Sequence, residues 1–293
     1  MTKLELPARK PFNFTSVVNS HGWRQLAPFS YDENANTLGY ILQLSNGRVV
    51  ELEFRDGKDG VRVETDKLDK VEIKEVKDRV MWMFGLDMGF SRFHTASRGE
   101  PKLARVKQRS LGRVLRSPTV FEDVIKTILT TNTLWAATKN MAQKLVNEFG
   151  APLDGDTEKR AFPTPASVAA SSPEVLKETV RVGYRAPAIH QLAVRVANGE
   201  LDLESLKIST LPTLELRKEL LTMNGVGPYA AANLLMILGR HDFIPIDSYA
   251  LKMVSQEWYK GKPITSKEVE KRFEKWGEFK GIVFWFWDWR END

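Results

Sequence analysis

The chain has 293 residues, 42% of them hydrophobic and 28% charged, with a net charge of +5 and a pI near 9.2, enough for one large or two moderate domains with real cores. It contains no cysteine, which excludes disulfides, thiol nucleophiles and thiolate metal sites, and its four histidines, at 21, 94, 190 and 241, form no local metal-binding pattern. No apolar run reaches signal-peptide or membrane-span length, so an intracellular protein is expected, in nucleoid or cytoplasm if bacterial and in the nucleus if eukaryotic; the mild basic excess suggests a polyanionic partner.

Strand signals occupy residues 15 to 63. Thr37 to Leu44 places apolar residues at 38, 40, 42 and 44, Asn46-Gly47 is a two-residue hairpin signal, and Val49 to Phe54 alternates again before Val61 to Val63. From Leu68 the pattern turns helical through Val71, Val76, Val80, Trp82 and Phe84. Lys102 to Arg116 then holds six basic residues and no acidic one, either a solvated face or a strip that adds salt-sensitive affinity for a duplex.

Thr119 with Glu122 reads as a capping box for a helix carrying Phe121, Val124, Ile125, Ile128 and Leu129. Thr130-Thr131-Asn132-Thr133 interrupts it, and a second helix runs to Phe149 with Gly150 as its cap. Residues 151 to 167 read as a surface loop, and Ser172-Pro173 starts a short helix that ends at Gly183. Ile189, Leu192, Ala193 and Val196 give a further helical stripe, Thr265 to Glu268 is another capping box, and an aromatic-rich helix is expected from Phe279 to Trp289.

The most informative stretch is Leu214 to Trp258. Leu216, Leu220 and Leu221 precede Asn224-Gly225-Val226-Gly227-Pro228, and Ala230, Ala231, Leu234, Leu235 and Leu238 follow it, so two helices flank a glycine turn over about 214 to 239. Pro228 suits the first helical position. The turn amides and the positive end of the second helix can together hold one phosphate oxygen without reading a base. Twenty residues after Gly227, Ile244-Pro245-Ile246-Asp247-Ser248 places a lone carboxylate at the start of the next helix, a position that also suits a plain N-cap.

This hairpin, helix, proline loop and aspartate resemble the helix-hairpin-helix (HhH-GPD) DNA glycosylases, with Gly225, Val226, Gly227, Pro245 and Asp247 as the matching residues. The resemblance runs over roughly residues 12 to 290, strongest from 119 to 258. It implies an α+β, mostly α fold: an N-terminal antiparallel sheet domain over 1–100, packed on a two-subdomain helical body over 101–293, with a base pocket in the cleft of that body. Asp247 becomes the catalytic carboxylate and Asn224 to Gly227 the DNA-backbone hairpin. Asn132 matches an asparagine that enters the duplex in the 8-oxoguanine branch, which also has a sequence close to Gly183-Tyr184-Arg185-Ala186; the alternative for Asn132 is a cap on the second helix. Gly22, Trp23 and Trp285 are the base-pocket candidates, with a turn and core packing as the alternatives.

The lysine that forms a Schiff base in bifunctional members stands two residues after the second hairpin glycine, and here that residue is Tyr229. The resemblance therefore implies a monofunctional enzyme without lysine-based lyase activity, of the 3-methyladenine glycosylase II type. It would act as a monomer on double-stranded DNA containing a damaged purine, foremost an alkylated one, in base excision repair. Alternatives are a glycosylase for oxidised or deaminated bases and a non-catalytic DNA-binding protein. No side-chain metal site, no iron–sulfur cluster and no other cofactor are expected; a monovalent cation on the hairpin carbonyls occurs in the family.

Overall fold

The computed structural model describes residues 1–289. The fold is α+β and mostly α, and its contacts divide the chain into two units, each drawn from two stretches. The first comprises Met1–Gly89 and Arg113–Lys207, the second Phe90–Gly112 and the chain from Ile208 onward. This grouping differs from a linear division at residue 100: residues 90–112 associate with the C-terminal helices, and the helices after 113 with the N-terminal sheet.

The first unit holds a five-stranded antiparallel sheet of β1 (Thr2–Pro7), β2 (Phe29–Asp32), β3 (Thr37–Gln43), β4 (Val49–Asp56) and β5 (Gly60–Thr65), in the order β1-β5-β4-β3-β2. Period-two alternation sets its inner face: Leu38, Tyr40 and Leu42 stand opposite Phe54, Leu52 and Val50, all buried. The first strand was not expected from the sequence; Leu4 and Leu6 pair with Val63 and Val61 and close the sheet edge. Helix α1 (Lys70–Phe84) follows the last strand of the sheet. It starts with a reciprocal capping box between Asp69 and Glu72 and ends at Gly85 in the left-handed conformation. Its last residue, Phe84, packs on Phe14 and Phe54 at 5.7 and 5.3 Å between ring centroids.

Helix α2 (Val120–Leu129) is buried along its whole length, including Glu122, Asp123, Lys126 and Thr127. The expected capping box is half formed: Thr119 accepts from the Glu122 amide at 3.2 Å, but the Glu122 side chain is drawn away to Tyr40 and Lys126. Helices α3 (Trp135–Phe149) and α4 (Ala186–Ala197) follow. The loop expected over 151 to 167 instead contains a hairpin, β6 (Pro152–Leu153) and β7 (Asp156–Arg160), whose flanking Ala161 packs with Ile41 and Val49 of the sheet.

The second unit contains α5 (Thr213–Leu221), α6 (Pro228–Ile237), α7 (Ser248–Tyr259), α8 (Ser266–Phe273) and α9 (Lys280–Trp285). The last is shorter than the expected 279 to 289. Its aromatics are mostly structural. Phe284 and Phe286 are buried, and Trp287 packs on Trp258, Phe273 and Trp276 at 5.2 to 5.5 Å. No described helix is long and apolar enough to cross a membrane.

The basic run is split between surface and core: Arg105, Lys107 and Arg109 are exposed, Lys102 is half-buried, and Arg113 and Arg116 are buried. Arg113 is buried and donates to the carbonyls of Gly85, Pro11, Arg9 and Met88, while buried Arg116 donates to the Trp82 carbonyl and lies 4.2 Å over its ring. Lys102 pairs with Glu257 and Asp288, and Arg105 reaches the Trp289 carbonyl. Arg113 and Arg116 are thus consumed as hydrogen-bond donors to backbone carbonyls, and burial lowers both to about 10.

Candidate active site and nucleic-acid interface

The glycine turn of the second unit is formed as its sequence requires. Leu216 and Leu220 bury one face of α5, Met223 and Val226 plug the turn, and the Val226 amide closes it on the Met223 carbonyl at 3.0 Å. Gly225 has φ +85, a conformation costly for any residue with a Cβ. Gly227 is the N-cap of α6 with no atom within 4 Å of where a Cβ would stand, and no side chain caps the helix. Asn224, Gly225 and Gly227 are exposed. An uncapped, uncovered helix N-terminus on a glycine turn can receive an anionic oxygen. Tyr229, at the second position of α6, is half-buried, and its carbonyl accepts from Asn233 at 3.1 Å.

The loop from α6 to α7 is anchored by buried Ile244 and Pro245, which leaves Asp247 exposed at the head of α7. Asp247 is the N-cap: its Oδ1 accepts from the Ala250 amide at 2.9 Å. One oxygen therefore fixes the carboxylate while the group stays open to solvent, so a capping role and a chemical role can coexist. Tyr249, 68% exposed, stands beside it.

In the first unit, the break between α2 and α3 meets the Gly-Tyr-Arg-Ala segment. Thr130 and Thr131 turn their hydroxyls inward, to the carbonyls of Thr127 and Ile128, and satisfy the end of α2. Arg185 clamps the break by donating to the carbonyls of Ile128, Val182 and Thr131. Asn132 sits at φ +45 and does not cap α3, whose N-cap is Leu134 without a side-chain bond. Its Nδ2 instead donates to Tyr184 Oη at 3.3 Å. Tyr184 is 65% exposed, stacks on Arg185 at 4.6 Å, and is held below the usual phenol range first by the Thr131 hydroxyl. Leu134, two residues after Asn132, is 80% exposed. Sequence reasoning passed over Leu134; its signal was an apolar residue in the polar break between two amphipathic helices.

The pocket candidates in this unit are placed otherwise than expected. Gly22 begins a short 3₁₀ turn, and a Cβ there would lie 2.2 Å from the Trp135 ring, so an indole rather than a base occupies its open side. Trp23 is a core residue, 6% exposed, whose Nε1 donates to Asp123 Oδ1 at 2.7 Å. In the second unit, Trp285 is half-buried at the last position of α9. Among the described residues no group of three or more metal-ligating side chains occurs.

The Trp23 contact belongs to a buried group with a measurable pH signature. Burial raises Asp123 to about 7, against the opposing hydrogen bond from Trp23, and burial lowers His21 to about 4 while its Nε2 donates to the Leu115 carbonyl at 2.5 Å. Between about pH 4 and 6.5 the folded chain holds a proton on Asp123 that the unfolded chain has lost, so stability falls as pH rises; His21 does the reverse, since only the unfolded chain is protonated there. The two slopes cancel. Asp123→Asn is expected to expose a rise in stability from about pH 4 to 6.5, and His21→Gln a fall from about pH 4 to 7, each at most about 1.4 kcal/mol per pH unit. Urea midpoints across that range test this; parallel profiles for the two variants would refute it.

The family description "HhH-GPD superfamily base excision DNA repair protein" matches residues 125–279. Among solved structures, the chain is similar to the 3-methyladenine DNA glycosylase from Archaeoglobus fulgidus, with a TM-score of 0.73 at 22% identity over 98% of this chain and 97% of that one. It is also similar to MBOgg1 in complex with a low-affinity DNA ligand, TM-score 0.72 at 22% identity over 94% and 91% of the two chains. The 8-oxoguanine glycosylase/lyase of Clostridium acetobutylicum aligns with a TM-score of 0.67 at 20% identity over 91% and 92%. No curated protein matches by sequence. At such identities the structural likeness is one of fold.

Proposed function

Because the chain belongs to the HhH-GPD superfamily of base excision DNA repair proteins, we propose that it is a monofunctional DNA glycosylase. It flips a damaged purine, foremost an alkylated one, out of duplex DNA and hydrolyses the N-glycosidic bond. The observation that carries this reading is Asp247, an exposed carboxylate held by the Ala250 amide in the same unit as an open glycine hairpin. A carboxylate beside the sugar stabilises the positive charge that builds as the base leaves and orients the attacking water. The hairpin amides hold a backbone phosphate nearby, so positioning comes without base readout.

Tyr229 supports the absence of a lyase step: a phenol cannot form the imine that a lysine would make with the opened sugar. An alkylated purine carries its own positive charge and leaves readily, so the site needs stacking surface more than an acid. A second reading, release of an oxidised base, draws on the joined Asn132, Tyr184 and Arg185 cluster of the first unit.

Duplexes each carrying one defined lesion, scored for strand breaks before and after alkali, separate these readings. Release of a methylated purine with breaks only after alkali is the expected result. Breaks without alkali would assign the strand-cleaving step to another nucleophile and end the monofunctional reading, preferential release of 8-oxoguanine would favour the second reading, and salt-sensitive binding with no release would leave a non-catalytic DNA-binding protein.

A further inference from the structure

A cavity of about 630 Å³ lies wholly within the second unit, on the flank of the hairpin helix. Its apolar wall is Pro228, Ala232, Ile244 and Ile246; its other wall carries Arg217, Lys267, Lys271 and Lys280 against Glu270 and Glu274. The charges are not balanced inside the cavity. Glu270 is occupied by Lys280 at 2.6 Å, and among the described residues neither Lys267 nor Lys271 has a carboxylate partner. Arg217 lies 4.9 Å over the Phe243 ring, and its Nε is buried with no acceptor. Four cations against two carboxylates leave the lining with a net charge of +2, Lys267 and Lys271 standing exposed at its rim, a field that attracts an anion, and the buried Arg217 N–H without an acceptor marks a missing partner.

We propose that this cavity is a nucleotide-binding subsite, in which Arg217, Lys267 and Lys271 take the phosphate and the apolar wall takes the flat face of the base. The volume fits a small molecule and exceeds what a bare ion fills. The apolar wall gives a base a dry surface, and the cations give the phosphate charge-assisted hydrogen bonds. Pro228 and Tyr229 belong both to this lining and to the first turn of α6, so a strand held at the hairpin can continue into the cavity. The nucleotide is therefore either free or an unpaired residue of that strand. The strand form rests on the DNA-binding reading of the hairpin, whereas binding of a free nucleotide does not.

The test uses the full chain with methyl-labelled isoleucine and dAMP as probe, and it reads binding rather than base release. At low salt, dAMP is expected to shift the Ile244 and Ile246 methyl signals. Deoxyadenosine, which lacks the phosphate, and the Lys267→Ala/Lys271→Ala variant with dAMP are each expected to bind about tenfold more weakly. Lys275→Ala, whose lysine pairs with Glu100 outside the cavity, is expected to bind as the unaltered chain does. On a duplex with a single-stranded extension, a salt slope reduced by about 0.7 in the double variant, one single-strand phosphate contact, identifies the strand as the source. An unchanged slope with the dAMP response intact identifies a free nucleotide. No shift at Ile244 and Ile246 at millimolar dAMP, with the salt slope also unchanged in the double variant, overturns the proposal, whatever the outcome for base release.

Discussion

Replacing Asp247 with asparagine is expected to lower the rate of base release by about 10²–10³-fold, the range for removing one preorganised electrostatic partner of a transition state, while leaving fold and DNA affinity intact. Asparagine is as good an N-cap as aspartate, so its carbonyl oxygen keeps the bond now made from the Ala250 amide at 2.9 Å. Only the negative charge is lost. Asp247→Ala removes the cap as well and is expected to cost about 1 kcal/mol of stability besides. Single-turnover rates with saturating enzyme, beside thermal melts and DNA titrations, separate the two roles. If the asparagine variant turned over like the unaltered chain, Asp247 would be a cap alone, and the proposed chemistry would lose its carboxylate.

The second large effect is one of stability and lies in α2. Lys126 is completely buried, with Nζ 2.6 Å from Glu122 Oε1, an ion pair by distance rather than by hydrogen-bond alignment, and 4.6 Å over the Phe29 ring. The other Glu122 oxygen accepts from Tyr40 Oη at 2.5 Å; burial, and then the Glu122 charge, push that phenol well above its ordinary range, which keeps it a donor. Lys126→Met fills similar space but leaves a carboxylate in the core with one neutral partner, and is expected to cost about 3–5 kcal/mol. The double variant Glu122→Gln/Lys126→Met keeps an acceptor for Tyr40 without either charge, and most of that loss is expected to return. Urea unfolding at neutral pH measures both. A single variant within about 1 kcal/mol of the parent would mean that Glu122 is hydrated or protonated in the fold.

Much of this architecture was legible in the residues. The alternation from Thr37 to Val63 located three strands, and the two glycines with Pro228 located the hairpin, because these patterns follow from backbone geometry that few other sequences satisfy. What escaped depends on long-range partners. Thr2–Pro7 is a strand because β5 lies beside it, and its alternation rests on two apolar residues alone, Leu4 and Leu6, with no hairpin signal next to them. A count of charges over Lys102 to Arg116 cannot show that carbonyls from residues 9, 11, 82, 85 and 88 wait for two of those guanidinium groups. Likewise Glu122 and Lys126 read as an ordinary pair one helical turn apart, and only the burial of every residue in α2 reveals their isolation from water. At the candidate site, the order of hairpin and aspartate marked Asp247. The exposure of Leu134 and the indole over Gly22 are products of tertiary packing.

Neither unit is a continuous length of chain: the backbone passes from one to the other after residues 89, 112 and 207. During synthesis the segment 90–112 therefore leaves the ribosome before the helices it belongs with, and the wait for residue 208 alone is on the order of 5–20 s at ordinary elongation rates. The first unit can be complete once residue 207 has emerged, which sets an order of assembly in which the hairpin unit forms last. A gene cut after residue 112 divides both cores, so that only co-expressed pieces could restore them, whereas a cut after 89 leaves the second unit's segments together and a cut after 207 the first unit's.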